Sequence, residues 1–137
     1  MQVNKIDHIS IAVNDLEQAR KVWEPVLGKS GPDDEYIDEP EKIKVARYWL
    51  GEVGFELMES TSPDGDVAKF IQKRGQGIHH IALEVDNIQA ELDRLKAKGL
   101  KLINEKPYLN AHEELVAFIH PKSTFGMLVE LIQTKPE

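Results

Sequence analysis

His8, Glu56, His80 and Glu130 are the residues whose types and spacing point to chemistry. Glu56 follows His8 by 48 positions and Glu130 follows His80 by 50, so a His…Glu pair occurs twice at nearly one spacing. Each sits inside an apolar alternation. His8 precedes Ile9, Ile11 and Val13, and His80 precedes Ile81, Leu83 and Val85. Glu56 lies between Phe55 and Leu57, and Glu130 between Val129 and Leu131. Strand side chains alternate between faces, so the four polar residues belong to the face opposite the apolar set. Two acids and two imidazoles facing one cavity need partners, because burying charge alone is costly. A divalent cation answers both the charge and the desolvation. This mixed nitrogen and oxygen donor set suits Co, Mn, Ni or Zn better than Cu(I) or an iron–sulfur cluster. His79 falls on the opposite face and reads as a core or capping histidine. His112 reads as a loop residue, and His120, before Pro121, as a turn former or a ligand contact. Trp23 and Trp49 read as core residues.

The elements that must position these residues come from a duplication. His8-Ile9-Ser10-Ile11-Ala12-Val13-Asn14-Asp15-Leu16 matches His80-Ile81-Ala82-Leu83-Glu84-Val85-Asp86-Asn87-Ile88 at an offset of 72. In both copies a strand-like run meets an Asx residue and then a helical pattern. Leu16, Ala19, Trp23 and Leu27 form the first helix face, ending near Gly28; Ile88, Leu92 and Leu95 form the second, ending at Gly99. Asn14 with Glu17, and Asp86 with Gln89, have capping-box spacing. Strand patterns follow at 43–50 and 53–58 in the first copy, and at 100–104, 115–120 and 127–133 in the second. Phe55-Glu56-Leu57-Met58 matches Val129-Glu130-Leu131-Ile132 at an offset of 74, so the duplication runs through most of the chain. The acidic stretch 31–41 reads as a loop. Ser62-Pro63 opens a linking helix carrying Val67, Phe70 and Ile71, which stops at Gly75. The expected fold is α+β: two βαβββ modules forming a curved mixed sheet around a metal-binding cavity, with helices outside. One domain spans 1–137, with module one at about 1–60, the linking helix at about 62–75 and module two at about 77–134.

Composition narrows the function classes. The 137 residues are 41% hydrophobic and 30% charged, enough to build a core. A net charge of −7 argues against nucleic-acid binding. No run of 18 apolar residues exists to span a membrane, and the start has neither a signal core nor an Arg-rich presequence. Cysteine is absent, which removes disulfides, thiolate ligands and cysteine nucleophiles; a cytoplasmic location is expected.

The paired His-Ile-x-[Ile/Leu]-x-Val starts, with Glu in each fourth strand, resemble the vicinal oxygen chelate superfamily, which includes glyoxalase I. Glu56-Leu57-Met58-Glu59, Ser62-Pro63-Asp64, Gly77-Ile78-His79-His80-Ile81-Ala82, His120-Pro121-Lys122-Ser123-Thr124 and Gly126-Met127-Leu128-Val129-Glu130-Leu131 are similar to the methylmalonyl-CoA epimerases. The resemblance implies an isomerase with a divalent metal held by His8, Glu56, His80 and Glu130. It implies inversion at the α-carbon of methylmalonyl-CoA or a related acyl-CoA, through a metal-stabilised enolate. Glu130 would then be the main acid/base and Glu56 a ligand or second acid/base. Lys122, Ser123 and His120 would contact the substrate. Lys69, Lys73 and Arg74 join Lys122 as a basic rim for the polyanionic CoA, and a homodimer is plausible. Two loops depart from the epimerase pattern: Asn110-Ala111-His112-Glu113 and Phe125-Gly126. A lactoylglutathione lyase of the glyoxalase I kind uses the same four ligands and stands as the alternative. A non-catalytic small-molecule binding protein of the same fold is a further one.

Overall fold

The computed structural model describes residues 3–134. The chain forms two compact units: one comprises residues up to His8 together with those from His80 onward, the other Ile9–His79. The secondary structure is α+β, with both parallel and antiparallel strand pairs.

In the unit Ile9–His79, the later part of β1 (Val3–Ala12) is followed by α1 (Leu16–Leu27), β2 (Asp34–Asp38), β3 (Ile43–Leu50), β4 (Val53–Ser60) and α2 (Asp66–Arg74). The strand order is β2-β3-β4-β1. The period-2 patterns divide the side chains as expected. Ile11, Val13, Ala46, Tyr48, Phe55 and Leu57 pack beneath Leu16, Ala19 and Trp23 of α1. On the other face, Ala12, Val45 and Met58 are covered by Val67, Phe70 and Ile71 of α2. That second face also carries Ser10, Arg47 and Glu56, two positions away along their strands.

The other unit contains the start of β1, most of β5 (Gly77–Val85), α3 (Ile88–Ala97), β6 (Tyr108–Leu109), β7 (Leu115–Ile119), a 3-10 turn at Pro121–Thr124 and β8 (Leu128–Gln133). Its order is β1-β5-β8-β7-β6, with β5 and β8 parallel and β7 antiparallel to β8. Val85, Ala117, Ile119 and Leu131 pack against Ile88 and Leu92 of α3. Ala82, Val116 and Ile132 form the opposite face.

The duplication extends to how the helices begin. The Leu16 N–H donates to Glu59 Oε1 at 2.8 Å, and the Ile88 N–H donates to Gln133 Oε1 at 2.9 Å. Glu59 and Gln133 are 74 positions apart, so each fourth strand ends by holding its own helix start. The caps fall one residue later than the capping-box spacing predicts. Asp15 accepts from the Gln18 N–H and Asn87 from the Ala90 N–H, both at 3.1 Å. Asn14 and Asp86 have other partners: the Asn14 N–H donates to Gln76, and Asp86 accepts from Asn4.

Two strand expectations are corrected. Residues 34–38, read as loop, form β2 along the edge beside β3. An edge strand tolerates exposed charge, and Asp34 and Glu35 are exposed. Residues 100–104 do not form a ladder; Leu102 makes one isolated bridge to Ile119. The Asn104 side chain accepts the Phe118 N–H at 2.9 Å, where a strand carbonyl would otherwise serve. No described helix is long and apolar enough to cross a membrane.

Candidate metal centre

His8, His80 and Glu130 lie in one unit, on β1, β5 and β8. Parallel pairing places Glu130 beside Ala82 and His80 beside Leu128, so His80 and Glu130 occupy neighbouring strands near the same level. All three residues are buried. His80 Nε2 lies 3.1 Å from Glu130 Oε1, His8 Nε2 lies 3.2 Å from the same oxygen, and the two Nε2 atoms are 3.3 Å apart. Three ligands about 2.1 Å from one ion stand about 3.0 Å apart in an octahedral set and about 3.4 Å apart in a tetrahedral one. The triangle therefore already has the dimensions of one face of a coordination sphere. Among the described residues, these three form the group able to hold an ion.

The donor chemistry fits as well. Asp7 Oδ2 lies 2.8 Å from His8 Nδ1, and in the tautomer whose Nδ1–H donates to it, Nε2 carries the lone pair that a metal needs. Without an ion, the Nε2–H groups of His8 and His80 donate to Glu130, and a cation would take the place of those protons. Burial pushes the Glu130 carboxyl up, but hydrogen bonds and charge from His8 and His80 outweigh it and hold it at about 2. Glu130 is therefore ionised and suited to ligation. The Phe118 ring stands edge-on to His80, with centroids 5.9 Å apart, and gives the centre an apolar wall. Asp7 acts here as an orienting residue. Asp7→Asn is expected to weaken metal affinity about 10- to 100-fold. Competition with a chromophoric chelator measures this, and an unchanged affinity would remove Asp7 from the centre.

Glu56 has different partners. Its Oε1 accepts from Ser10 Oγ at 2.9 Å, and its Oε2 faces Arg47 Nε at 2.7 Å and Nη2 at 2.6 Å. It does not belong to the three-residue group. Two of the three expected substrate contacts shape the turn at 121–124. The Lys122 N–H donates to His120 Nδ1 at 3.0 Å. Ser123 Oγ accepts from the Lys101 N–H at 2.8 Å and donates to the Lys101 carbonyl at 3.1 Å. Desolvation and the charges of Lys101 and Lys122 push the His120 imidazole down, favouring the neutral ring that accepts this bond. Lys122 is exposed, as are Lys69, Lys73 and Arg74. His79 packs its ring 4.9 Å from Phe70 of α2, in keeping with a structural histidine. Trp49, read as core, is 39% exposed, and its ring lies 5.6 Å from the Arg47 guanidinium.

Sequence reasoning missed Asp7, Ser10 and Arg47. Ser10 carried a signal, because its partner in the repeat is Ala82, a hydroxyl against a methyl. Asp7 carried only adjacency to His8.

Comparison with known proteins gives the site its context. Residues 7–118 match the glyoxalase/bleomycin resistance protein/dioxygenase superfamily. The mitochondrial methylmalonyl-CoA epimerase of Homo sapiens is 38% identical over 133 residues, covering 96% of this chain and 74% of that one. The crystal structure of methylmalonyl-CoA epimerase from Mycobacterium tuberculosis superposes with a TM-score of 0.87 at 32% identity, covering 98% of this chain and 90% of that one. A variant of the Streptomyces coelicolor methylmalonyl-CoA epimerase, in complex with 2-nitronate-propionyl-CoA, gives a TM-score of 0.87 at 27% identity, covering 97% of this chain and 96% of that one. The sequence resemblance to methylmalonyl-CoA epimerases is thus borne out over nearly the full length. The chain belongs to the glyoxalase/bleomycin resistance protein/dioxygenase superfamily.

Proposed function

We propose that the chain is an isomerase, a metal-dependent epimerase that inverts the α-carbon of methylmalonyl-CoA or a related 2-substituted acyl-CoA. The observation that carries this reading is the triangle of His8 Nε2, His80 Nε2 and Glu130 Oε1, with edges of 3.1–3.3 Å. His8, His80 and Glu130 would hold a divalent ion such as Co, Mn, Ni or Zn. When bound, the ion supplies Lewis-acid stabilisation of negative charge on the substrate's oxygens.

Epimerisation requires a proton to leave one face of the α-carbon and another to arrive on the opposite face. Glu130, ionised at neutral pH, takes up or returns one of these protons at its carboxylate. Glu56, its counterpart in the repeat, is the candidate second acid/base. Ser10 and Arg47 fix its carboxylate, so its exchange of a proton depends on those two contacts. The Phe118 ring stands edge-on to His80 and puts carbon on that side of the centre.

The polyanionic CoA portion needs local positive charge on an acidic protein, and Lys122 is an exposed cation within the 3-10 turn. Lys122→Glu is expected to weaken binding of the CoA ester by up to about tenfold at low salt, the scale of one exposed charge contact. Metal content should stay at the wild-type level. Equal binding by both proteins, measured by titration calorimetry, would exclude Lys122 from the rim.

The deciding experiment follows exchange of the α-proton of methylmalonyl-CoA with deuterated solvent. It is run on the metal-loaded protein, after chelation and after metal add-back. Exchange lost on chelation and restored by the ion supports the epimerase. Absence of exchange, with turnover of a glutathione hemithioacetal instead, would replace it by a lactoylglutathione lyase.

A further inference from the structure

The two nitrogens of the His120 imidazole have different fates. Nδ1 accepts the Lys122 N–H at 3.0 Å, so the neutral ring carries its proton on Nε2. The backbone around the ring is pinned. The His120 N–H donates to the Lys101 carbonyl at 3.0 Å, and the Ser123 N–H donates to the His120 carbonyl at 2.9 Å. Ser123 Oγ ties the Lys101 N–H and carbonyl to the same turn. The ring is half-buried, and its Nε2–H has no partner among the described residues. A donor held in one place and left unused is preorganised for a ligand.

That donor lies on the face of the metal centre, within the same unit. Ala117 and Ile119 of β7 pack into the core beneath α3, as do Val129 and Leu131 of β8. Alternation sends Phe118, His120 and Glu130 to the opposite face. The backbone of His120 is still extended, at φ −64° and ψ 135°. Phe118 stands opposite Glu130 in the ladder, and its ring is edge-on to His80. His120 follows Phe118 by two residues, about 7 Å further along the strand. The ligand chemistry follows from the charge. Desolvation and the charges of Lys101 and Lys122 keep the ring neutral, and no acid acts on it. A neutral N–H suits an uncharged carbonyl oxygen, whereas a phosphate against it would draw a second proton onto the ring and break the bond from Lys122.

We infer that His120 is a substrate-binding residue whose Nε2–H donates to an amide carbonyl of the arm that joins the thioester to the CoA nucleotide. The inference rests on the acyl-CoA epimerase reading and names the part of the substrate that this ring holds. A sulfur and two methylenes separate the thioester carbonyl from the first amide of that arm. The step from the level of Glu130 to that of His120 is of the same size. His120 thus holds the arm in register with the centre without touching the reacting carbon.

The test separates the two nitrogens. His120→Asn keeps a side-chain acceptor for the Lys122 N–H, since asparagine is a good cap, but has no donor in the place of Nε2. His120→Ala loses both. Exchange of the α-proton is followed on the metal-loaded proteins with methylmalonyl-CoA and with methylmalonyl-pantetheine, which keeps both amides but not the nucleotide. His120→Asn should raise KM about 3- to 10-fold for both thioesters, the scale of one hydrogen bond, with kcat, metal content and Tm at the wild-type level. His120→Ala should raise KM as much and lower Tm in addition. A wild-type KM in His120→Asn would reduce the ring to a cap of the turn and overturn the inference. A rise confined to methylmalonyl-CoA would set the ring against a phosphate and overturn it as well. Wild-type protein that exchanges neither thioester would overturn the epimerase reading on which the inference stands.

Discussion

Glu130→Gln is expected to cut turnover by about 10²–10⁴-fold, the range for loss of a positioned acid/base. The substitution preserves shape and keeps an oxygen toward His8 and His80, but it cannot exchange a proton and carries no charge. KM should move little by comparison, because substrate binding does not depend on that proton. Metal content must be measured alongside and saturated, since Glu130 is one corner of the triangle. Turnover near the wild-type level at full metal occupancy would remove Glu130 from proton transfer. The same carboxylate should also be visible in the metal-free protein. Its pKa lies below the ordinary 4.5, held at about 2. Its contribution to stability is therefore fully present above about pH 4.5 and lost as pH falls toward 2. Urea midpoints between pH 6 and 2 should fall more steeply for wild type than for Glu130→Gln.

The sequence carries the His8–His80–Glu130 group more clearly than the face around Glu56, and the reason is physical. His8 and His80 are legible because a period-2 pattern fixes the face of each strand and the offset of 72 makes them equivalent. Glu56 and Glu130 are legible by the same rule. Alternation says which face a residue takes but not which neighbour lies across the ladder. Arg47 opposite Glu56 depends on register, which is set where β3 turns into β4 at Gly51-Glu52. Without that register, Glu56 reads as a free ligand and Trp49 as core. The missed β2 has a related cause. Its charged residues resemble a loop because an edge strand needs only one paired side. The shifted caps show a third limit. In Asn14-Asp15 and Asp86-Asn87 either residue satisfies the rule, and the choice falls to the residue next to the buried Leu16 or Ile88.

His80→Ala is expected to abolish metal binding in the range where wild type is saturated. Removing a residue that only orients a ligand costs about 10- to 100-fold, and removing the ligand itself should cost more. The loss opens one corner of a triangle whose remaining donors are His8 Nε2 and Glu130 Oε1, 3.2 Å apart. Phe118, the neighbour on that side, brings no donor to replace it. Stability gives a readout independent of activity. An ion present at a hundredfold excess over its Kd stabilises the folded state by about 2.7 kcal/mol. For a chain of this size that corresponds to a Tm increase of about 10 °C. Wild type should show this shift on metal addition and His80→Ala should not. His79→Ala is the control, since the adjacent histidine lies on the other face of β5 and packs against Phe70. It should lower the starting Tm through lost packing yet keep the full metal response. A metal shift of wild-type size in His80→Ala would mean that the ion binds elsewhere. The three-residue centre would then lose its claim to the chemistry, because no other described group brings enough donors together to hold an ion.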